Sequence, residues 1–277
     1  MLQISRLFVY PIKSLGGISV PSALLTDRGF QYDRRWMLVD EQNQFMTQRE
    51  YPQMALLQTD ITSEGISIFH KNDIHERILV PFWCPSDIKL TVQVWDDYCE
   101  AVFVSREIDQ WLSKRLDVTC RLVFMPDDSL RKVDPKYAVR ENNYTSLSDG
   151  YPILLLSQSS LDDLNSRLDK PLPMNRFRPN MVIMGANPYE EDEMADFMIR
   201  GVHFYGVKLC GRCVMTTINQ ESLEKGKEPL KTLSTYRQKE NSIKFGQNVI
   251  YSTTGISLKT GDRIEIIQRK AKLDFGL

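Results

Sequence analysis

Short runs of alternating apolar and polar residues dominate the first 125 positions and predict strands rather than helices. Residues 36–40 and 44–47 flank Glu41-Gln42-Asn43 and read as a hairpin. Residues 56–62 and 66–70 flank Ser63-Glu64-Gly65, and 90–95 and 100–104 flank Asp96-Asp97, each with the same reading. Many short strands joined by polar turns predict a sandwich or barrel. One helix interrupts them: Ile108, Trp111, Leu112 and Leu116 recur at helical spacing, with Ser105 placed as N-cap. Residues 121–125 return to strand. The polar stretch 126–150 is the candidate for a domain junction or a long functional loop.

Beyond it, residues 153–156 form a continuous apolar run that suits a buried strand. Ser159-Ser160-Leu161-Asp162 matches a capping box ahead of a stripe of Leu161, Leu164 and Leu168. Residues 181–184 read as a strand and Glu190-Glu191-Asp192-Glu193 as an acidic loop. Residues 198–202, 204–209 and 214–218 are strand-like, 230–237 a short helix, and 249–251, 256–258 and 263–267 further strands around a turn at 259–262. The expected fold class is mainly β (α+β): an N-terminal β-barrel-like domain over residues 1–125, packed on a second β-barrel with a few helices over 126–277.

Composition narrows the function. The 277 residues are 42% hydrophobic and 26% charged, which is globular text. Thirty-five Lys and Arg against 36 Asp and Glu leave a net charge of −1, without the basic excess of a nucleic-acid or membrane-surface binder. No apolar run approaches the ~18 residues of a spanning helix, and no secretory h-region opens the chain. The expectation is a soluble, cytoplasmic protein that contacts neither nucleic acid polymer nor membrane. Five cysteines, an odd number, do not make a disulfide framework. Cys84, Cys99 and Cys120 read as small buried hydrophobes.

Four segments could carry chemistry. Cys210-Gly211-Arg212-Cys213 is a C-x-x-C pair. A structural zinc wants four ligands, and only His203 stands near. A thioredoxin centre wants a following helix, whereas Val214 to Ile218 are strand-formers. A third reading leaves the pair incidental to a loop, and a fourth makes one cysteine a thiolate ligand of a soft metal, with Arg212 favouring the charged form of Cys213 and Gly211 allowing close backbone approach. Arg176-Phe177-Arg178-Pro179-Asn180 precedes a strand; Pro179 predicts an extended Arg178, so that Arg178 and Asn180 project from a strand mouth as oxyanion donors. Lys13 and Ser14 sit in a turn after the first strand, placed to meet an anion. Tyr32-Asp33-Arg34-Arg35-Trp36 would turn one arginine inward, where Asp33 or a bound anion would partner it. Several buried cations are costly unless something anionic joins them. A phosphorylated, metal-bearing cofactor between the halves would reconcile all four segments.

Taken together these residues resemble the MOSC-domain proteins. Lys13-Ser14, Asp33-Arg34-x-Trp36, Arg178-Pro179-Asn180 and Cys210-x-Arg212-Cys213 with Thr216-Thr217 occur in that order. Glu228-Pro229-Leu230-x-Thr232-Leu233-x-x-Tyr236-Arg237 and Phe245-Gly246-Gln247 extend the likeness over nearly the full length. Within the family the chain is most similar to the amidoxime-reducing components and their bacterial counterparts, with an N-terminal MOSC β-barrel domain ahead of the MOSC domain. The resemblance implies a molybdenum cofactor whose metal is held by Cys213. It also implies cofactor contacts from Lys13, Ser14, Arg34, Arg178, Asn180, Gly211 and Arg212, with Asp149 and Asn175 lining the pocket.

The implied activity is reduction of N-hydroxylated substrates: amidoximes, hydroxylamines and N-hydroxylated nucleobases. Some relatives carry a C-terminal four-cysteine ferredoxin-like domain. Residues 268–277 contain no cysteine, so the implied electron donor is a separate protein, ferredoxin-like or a flavin reductase. A membrane anchor seen in vertebrate-type members is also not expected here. Met194 follows the family's Glu191-Asp192 pair where an aromatic is common, which points to altered substrate selection. Two other readings stand beside this one: a carrier of persulfide sulfur on Cys213, and a zinc-stabilised β module that binds a partner.

Overall fold

The computed structural model describes residues 1–83 and 86–276, so Cys84 lies outside the described residues. The expected mainly β architecture holds, with three α-helices among the described residues. The chain opens with β1 (Gln3–Val9), β2 (Ile18–Val20), β3 (Ser22–Thr26) and β4 (Gly29–Phe30). Next come β5 (Trp36–Val39), β6 (Leu57–Ile61), β7 (Gly65–His70), β8 (Asp73–Pro81), β9 (Lys89–Val94), β10 (Asp97–Phe103), α1 (Arg106–Leu116) and β11 (Arg121–Phe124). The sheets β5-β11-β10-β9 and β6-β7-β8 form the N-terminal barrel-like unit. Ser105 caps α1 through Oγ, which accepts the Ile108 N–H at 3.2 Å. The helix buries Ile108, Leu112 and Leu116 against Trp36, Leu38, Ile66 and Ile68, so its stripe closes the core of this unit.

The second half holds β12 (Arg131–Lys132), β13 (Tyr144–Thr145), β14 (Ile153–Ser157), α2 (Gln158–Ser166), β15 (Met181–Met184), β16 (Met194–Ile199) and β17 (Val202–Arg212). It ends with α3 (Leu230–Ser234), β18 (Gln238–Lys239), β19 (Ser242–Tyr251), β20 (Ser257–Lys259) and β21 (Glu265–Arg269). A nine-stranded sheet runs β2-β1-β15-β14-β19-β17-β16-β21, with β18 on β19. β14 and β15 are parallel, and α2 makes the crossover between them. Alternation along β14 serves two cores at once: Ile153 and Leu155 enter the barrel interior, while Leu156 packs outside with Leu161 and Leu164 of α2.

The first strands of the chain belong to this second half: β1 and β2 to the nine-stranded sheet, β3 and β4 to a three-stranded sheet with β20. β1 pairs antiparallel with β15, Leu7 opposite Met181, and β3 pairs with β20. Ile4, Leu7, Val9, Leu25 and Phe30 therefore share one core with Leu155, Phe204 and Val249. This register sets the end of β1 beside the start of β15, and brings residues 10–14 against 178–180.

Several local expectations change. α2 is capped by Ser157, two residues before the expected box, because Ser157 Oγ accepts the Ser160 N–H at 3.0 Å. Residues 198–202 are not one strand: Arg200 and Gly201 have φ of 51° and 79° and turn β16 into β17. Residues 214–218 form a 3-10 turn, Val214–Thr217, despite their strand-forming composition. Its Thr216 and Thr217 hydroxyls bond back to the carbonyls of Cys213 and Val214, and local side-chain bonds of this kind compete with a ladder. The acidic run is a 3-10 turn too, with Glu191 and Asp192 buried and bonded rather than solvated. Glu191 accepts from the Ser157 N–H and the Ser160 hydroxyl, and Asp192 pairs with the buried Arg237 at 2.5 Å. The helix at 230–237 is shorter, covering Leu230–Ser234. Cys99 and Cys120 are buried.

Candidate functional site

A cavity of about 410 Å³ lies where the N-terminal unit meets the large sheet. Lys13, Ser14, Arg34, Asp149, Arg178, Asn180, Gly211, Arg212 and Cys213 all line it. Asn175 does not: it is exposed on the 3-10 turn Met174–Arg176, and its neighbour Arg176 lines the cavity instead.

Lys13 and Ser14 reach the cavity from the segment after β1. The Lys13 N–H bonds to the Trp36 carbonyl at 2.8 Å, and Ser14 takes a φ of 68°. Lys13 Nζ meets Asp149 Oδ1 at 2.6 Å, with side-chain exposures of 6% and 72%: a buried ammonium on an open carboxylate. Burial pulls the Lys13 pKa down, with Asp149 opposing. The Asp149 carboxyl, open to solvent at the cavity wall, is held well below the usual carboxylate range by the Lys13 ammonium and the indole N–H of Trp95 (3.2 Å), which outweigh the enclosure around it and keep it ionised.

Arg34 does turn inward on Asp33, Nη1 to Oδ2 at 2.7 Å, and it also donates to Asn180 Oδ1 at 2.9 Å. Asn180 spends its amide inside this network. Its Nδ2 donates to Asp33 Oδ1 and the Phe8 carbonyl, and its Oδ1 also accepts from the Leu154 N–H. Arg178 departs from the extended backbone that Pro179 predicts, with φ of 53°. Tertiary contacts override the local bias. The Tyr10 hydroxyl donates to the Pro179 carbonyl at 3.1 Å, and Arg34 Nη2 donates to the Arg178 carbonyl at 3.4 Å. The guanidinium carbons of Arg34 and Arg178 consequently stand 4.2 and 4.3 Å from the centroid of one ring, that of Tyr10.

The cysteine segment ends β17. Irregularities in the β17–β19 ladder between Gly206 and Lys208, and between Leu209 and Gly211, re-aim the strand end as it reaches the cavity. A Cβ at Gly211 would lie 2.7 Å from Ser242 Oγ, so any larger residue there must turn the Ser242 hydroxyl aside. Arg212 is anchored to the carbonyls of Phe245 (2.8 Å) and Phe177 (3.1 Å). Cys213 is exposed at the cavity wall; Cys210 is half-buried, and burial raises its pKa against the opposing pull of Arg212. Arg176 Nε and Nη2 donate to the carbonyls of Thr216 and Thr217, which clamps the turn after Cys213.

Eight cationic residues line the cavity (Lys13, Arg34, Arg49, Arg176, Arg178, Lys208, Arg212 and Lys244) against one carboxylate, Asp149. Among the described residues, the Arg178 guanidinium makes no hydrogen bond or ion pair; burial lowers its pKa to about 10. Arg212 Nη2 is buried without a partner. Orphan guanidinium donors of this kind are what a phosphate-bearing ligand would satisfy. An exposed thiol beside them suits a soft metal, so the residues present fit a metal-bearing, phosphorylated cofactor. A zinc set is not assembled: no group of three His, Cys, Asp or Glu is gathered among the described residues.

Tyr10, Arg176, Trp95, Arg49, Lys208 and Lys244 were not legible as site residues. Arg176 stood inside a segment already singled out, and Tyr10 lies three residues before Lys13. The other four carry no local signal, since only the barrel brings them to the cavity.

This two-barrel architecture, with a cysteine-tipped strand facing a cationic cavity, is that of a MOSC-domain protein. Residues 1–119 match the MOSC N-terminal beta barrel domain and residues 142–265 the MOSC domain. The chain is 32% identical to the mitochondrial amidoxime-reducing component 1 of Mus musculus over 95% of its own length and 82% of the relative's. It is 31% identical to that of Xenopus laevis over 96% and 82%. A molybdenum cofactor sulfurase of Oryza sativa subsp. japonica is 31% identical over 88% of this chain and 32% of that protein. The chain belongs to the family of MOSC-domain proteins that includes the mitochondrial amidoxime-reducing components. No helix among the described residues is long and apolar enough to cross a membrane.

Proposed function

We propose that the chain binds a molybdenum–pterin cofactor in this cavity and reduces N-hydroxylated compounds with electrons from a separate donor protein. The observation that carries the reading is the charge of the wall: eight cations facing one carboxylate in a chain whose net charge is −1. Such a wall is unfavourable until an anion occupies it. Arg178, buried at the cavity wall with no hydrogen bond or ion pair among the described residues, and Arg212 Nη2 hold the uncommitted donors for the pterin phosphate. Cys213 supplies the protein thiolate, and Arg176 with Thr216 fixes its backbone. Lys13, Ser14 and Arg34 close the opposite wall, and Asp149 keeps Lys13 in place.

When bound, the molybdenum centre supplies the two-electron reduction, converting R–NHOH with two electrons and two protons to R–NH2 and water. The protein's part is to bind, orient and hold charge. The decisive experiment is metal analysis of protein made in a cofactor-competent host, followed by turnover of benzamidoxime with a reduced ferredoxin or a flavin reductase. The expectation is near-stoichiometric molybdenum that Cys213→Ala loses. Wild-type protein without molybdenum, indistinguishable from Cys213→Ala, overturns the reading.

The exposure of Cys213 and the likeness to a protein named as a molybdenum cofactor sulfurase favour one alternative, a persulfide carrier. Mass spectrometry finding a labile extra sulfur on Cys213, with no pterin, would select it.

A further inference from the structure

We propose that Gln48 is a positioning residue for the anion wall of the cavity: it holds Ser14 in place, and residues 218–226, which run on from the cysteine turn, hold Gln48. The role rests on the cofactor reading of the same cavity. Thr47 and Arg49 line the cavity, whereas Gln48 between them does not, and its side chain is fully buried. A buried primary amide is costly unless both of its ends are bonded. In Gln48 both are: Nε2 donates to the Ser14 carbonyl at 2.6 Å, and Oε1 accepts from Gln220 Nε2 at 2.9 Å. A backbone carbonyl can only accept, so the end of the amide that meets Ser14 must be the nitrogen. The oxygen is then left for Gln220, and a flipped amide would set two oxygens together at Ser14.

Ser14 needs such a hold. Its φ of 68° lies in the left-handed region, which a serine adopts at a cost. Its carbonyl is committed to Gln48, while its hydroxyl has no hydrogen-bond partner among the described residues. Ser14 lines the cavity directly after Lys13 in the chain, so that hydroxyl is a free donor at the anion wall.

Gln220 is fixed in its turn. Lys71 Nζ donates to its carbonyl at 2.9 Å and pairs with the Glu221 carboxylate, and Lys225 Nζ donates to the Arg49 carbonyl at 3.2 Å. The Gly226 N–H bonds to the Thr217 carbonyl at 3.1 Å, inside the turn that follows Cys213. The segment is therefore bound to the cysteine turn and, across the seam, to Gln48, Arg49 and Lys71. Ser14 and Cys213 stand on walls built by different halves of the chain, and Gln48 with Gln220 joins them. An anion held by Ser14 would draw on this path for its preorganisation, and cutting the path would lower anion affinity.

The test uses the full chain, cofactor-free and 15N-labelled, titrated with inorganic phosphate. Phosphate is expected to bind saturably. Gln48→Met is expected to weaken its Kd about fivefold, the equivalent of one hydrogen bond, and Gln220→Ala about threefold. In a Ser14→Ala background neither substitution is expected to weaken binding further. Gln220 is half-buried, so Gln220→Ala retains the fold, which a thermal melt checks, and it carries the test alone if Gln48→Met does not fold. A wild type that does not bind phosphate, full affinity in Gln220→Ala, or the same loss with and without the Ser14 hydroxyl would each overturn the proposal, because a residue that only stabilises the fold acts whatever stands at position 14. If protein from a cofactor-competent host holds no molybdenum while phosphate binding keeps this dependence, the reductase reading falls and Gln48 stands as the positioning residue of an anion site.

Discussion

Arg178→Met is expected to stabilise the cofactor-free chain while removing its capacity to hold molybdenum. The guanidinium is buried and makes no hydrogen bond or ion pair among the described residues, and its pKa falls from 12.5 to about 10, chiefly through burial, with Arg34 adding to the fall. At 1.36 kcal/mol per unit that fall corresponds to about 3 kcal/mol carried by the charged folded state. The group is a base whose folded pKa is lowered, so the cost is fully present below about pH 10 and the gain from methionine is flat across neutral pH. Methionine keeps the length and a sulfur–aromatic contact with Tyr10, worth ~0.3–1.5 kcal/mol, in place of the cation–π contact. A net gain of about 2 kcal/mol would raise Tm by roughly 4–8 °C in a chain of this size. The assay is urea and thermal unfolding of both proteins from a host that cannot make the cofactor, with metal analysis of the same pair from a competent host. Arg28→Met is the control: that buried guanidinium is bonded to both Asp27 oxygens and to the carbonyls of Pro126, Asp127 and Ser129. Its loss is expected to destabilise by about 3–5 kcal/mol. If Arg178→Met also destabilises, or retains molybdenum like the wild type, the cavity is not the strained anion site described.

Glu191 is held near a pKa of about 7, from 4.5, by burial and by the charge of Asp192. Its folded form retains the proton, so stability is greatest on the acid side and falls as pH rises through about 7, by up to about 3 kcal/mol. Glu191→Gln is expected to flatten that slope in urea midpoints taken across pH, and an unchanged slope would count against it. Asp149→Asn strands the buried Lys13 ammonium; because the carboxylate is open to solvent the expected loss is about 1–2 kcal/mol, and adding Lys13→Met should restore it in a double-mutant cycle. Arg176→Lys removes one of two clamps on the turn after Cys213, and amide exchange at Thr216 is expected to quicken about fivefold, the equivalent of one hydrogen bond. No change there would show the clamp to be passive.

What was legible in the sequence was whatever neighbours in the chain decide. The pairing of β9 with β10 and of β6 with β7, and α1 with its Ser105 cap, follow from alternation, turn residues and a 3.6 period. The errors share one cause, a distant partner that outbids local preference. Strand-forming Val214 to Ile218 turn because two threonine hydroxyls and Arg176 hold them. Glu191 and Asp192 are buried because Ser157, Ser160 and Arg237 await them. Arg178 adopts a positive φ before proline because Tyr10 and Arg34, 168 and 144 residues away in the chain, grip its carbonyl and that of Pro179.

The same logic explains why the site residues could be named while their geometry could not. Their residue types, an exposed thiol and several arginines, carry the chemistry wherever they stand. Their meeting depends on β1 leaving the N-terminal unit to pair with β15, which lays the segment bearing Lys13 beside Arg178. An anion in the cavity would therefore join the two halves of the chain across that seam. Arg34 reaches the seam from one side through Asp33 and Asn180, and Arg178 from the other through the ring of Tyr10. Filling the cavity should accordingly tighten the N-terminal unit as well as the large sheet, a coupling that amide exchange at Trp36 and Lys13 on one side and at Phe8 on the other would register on loading.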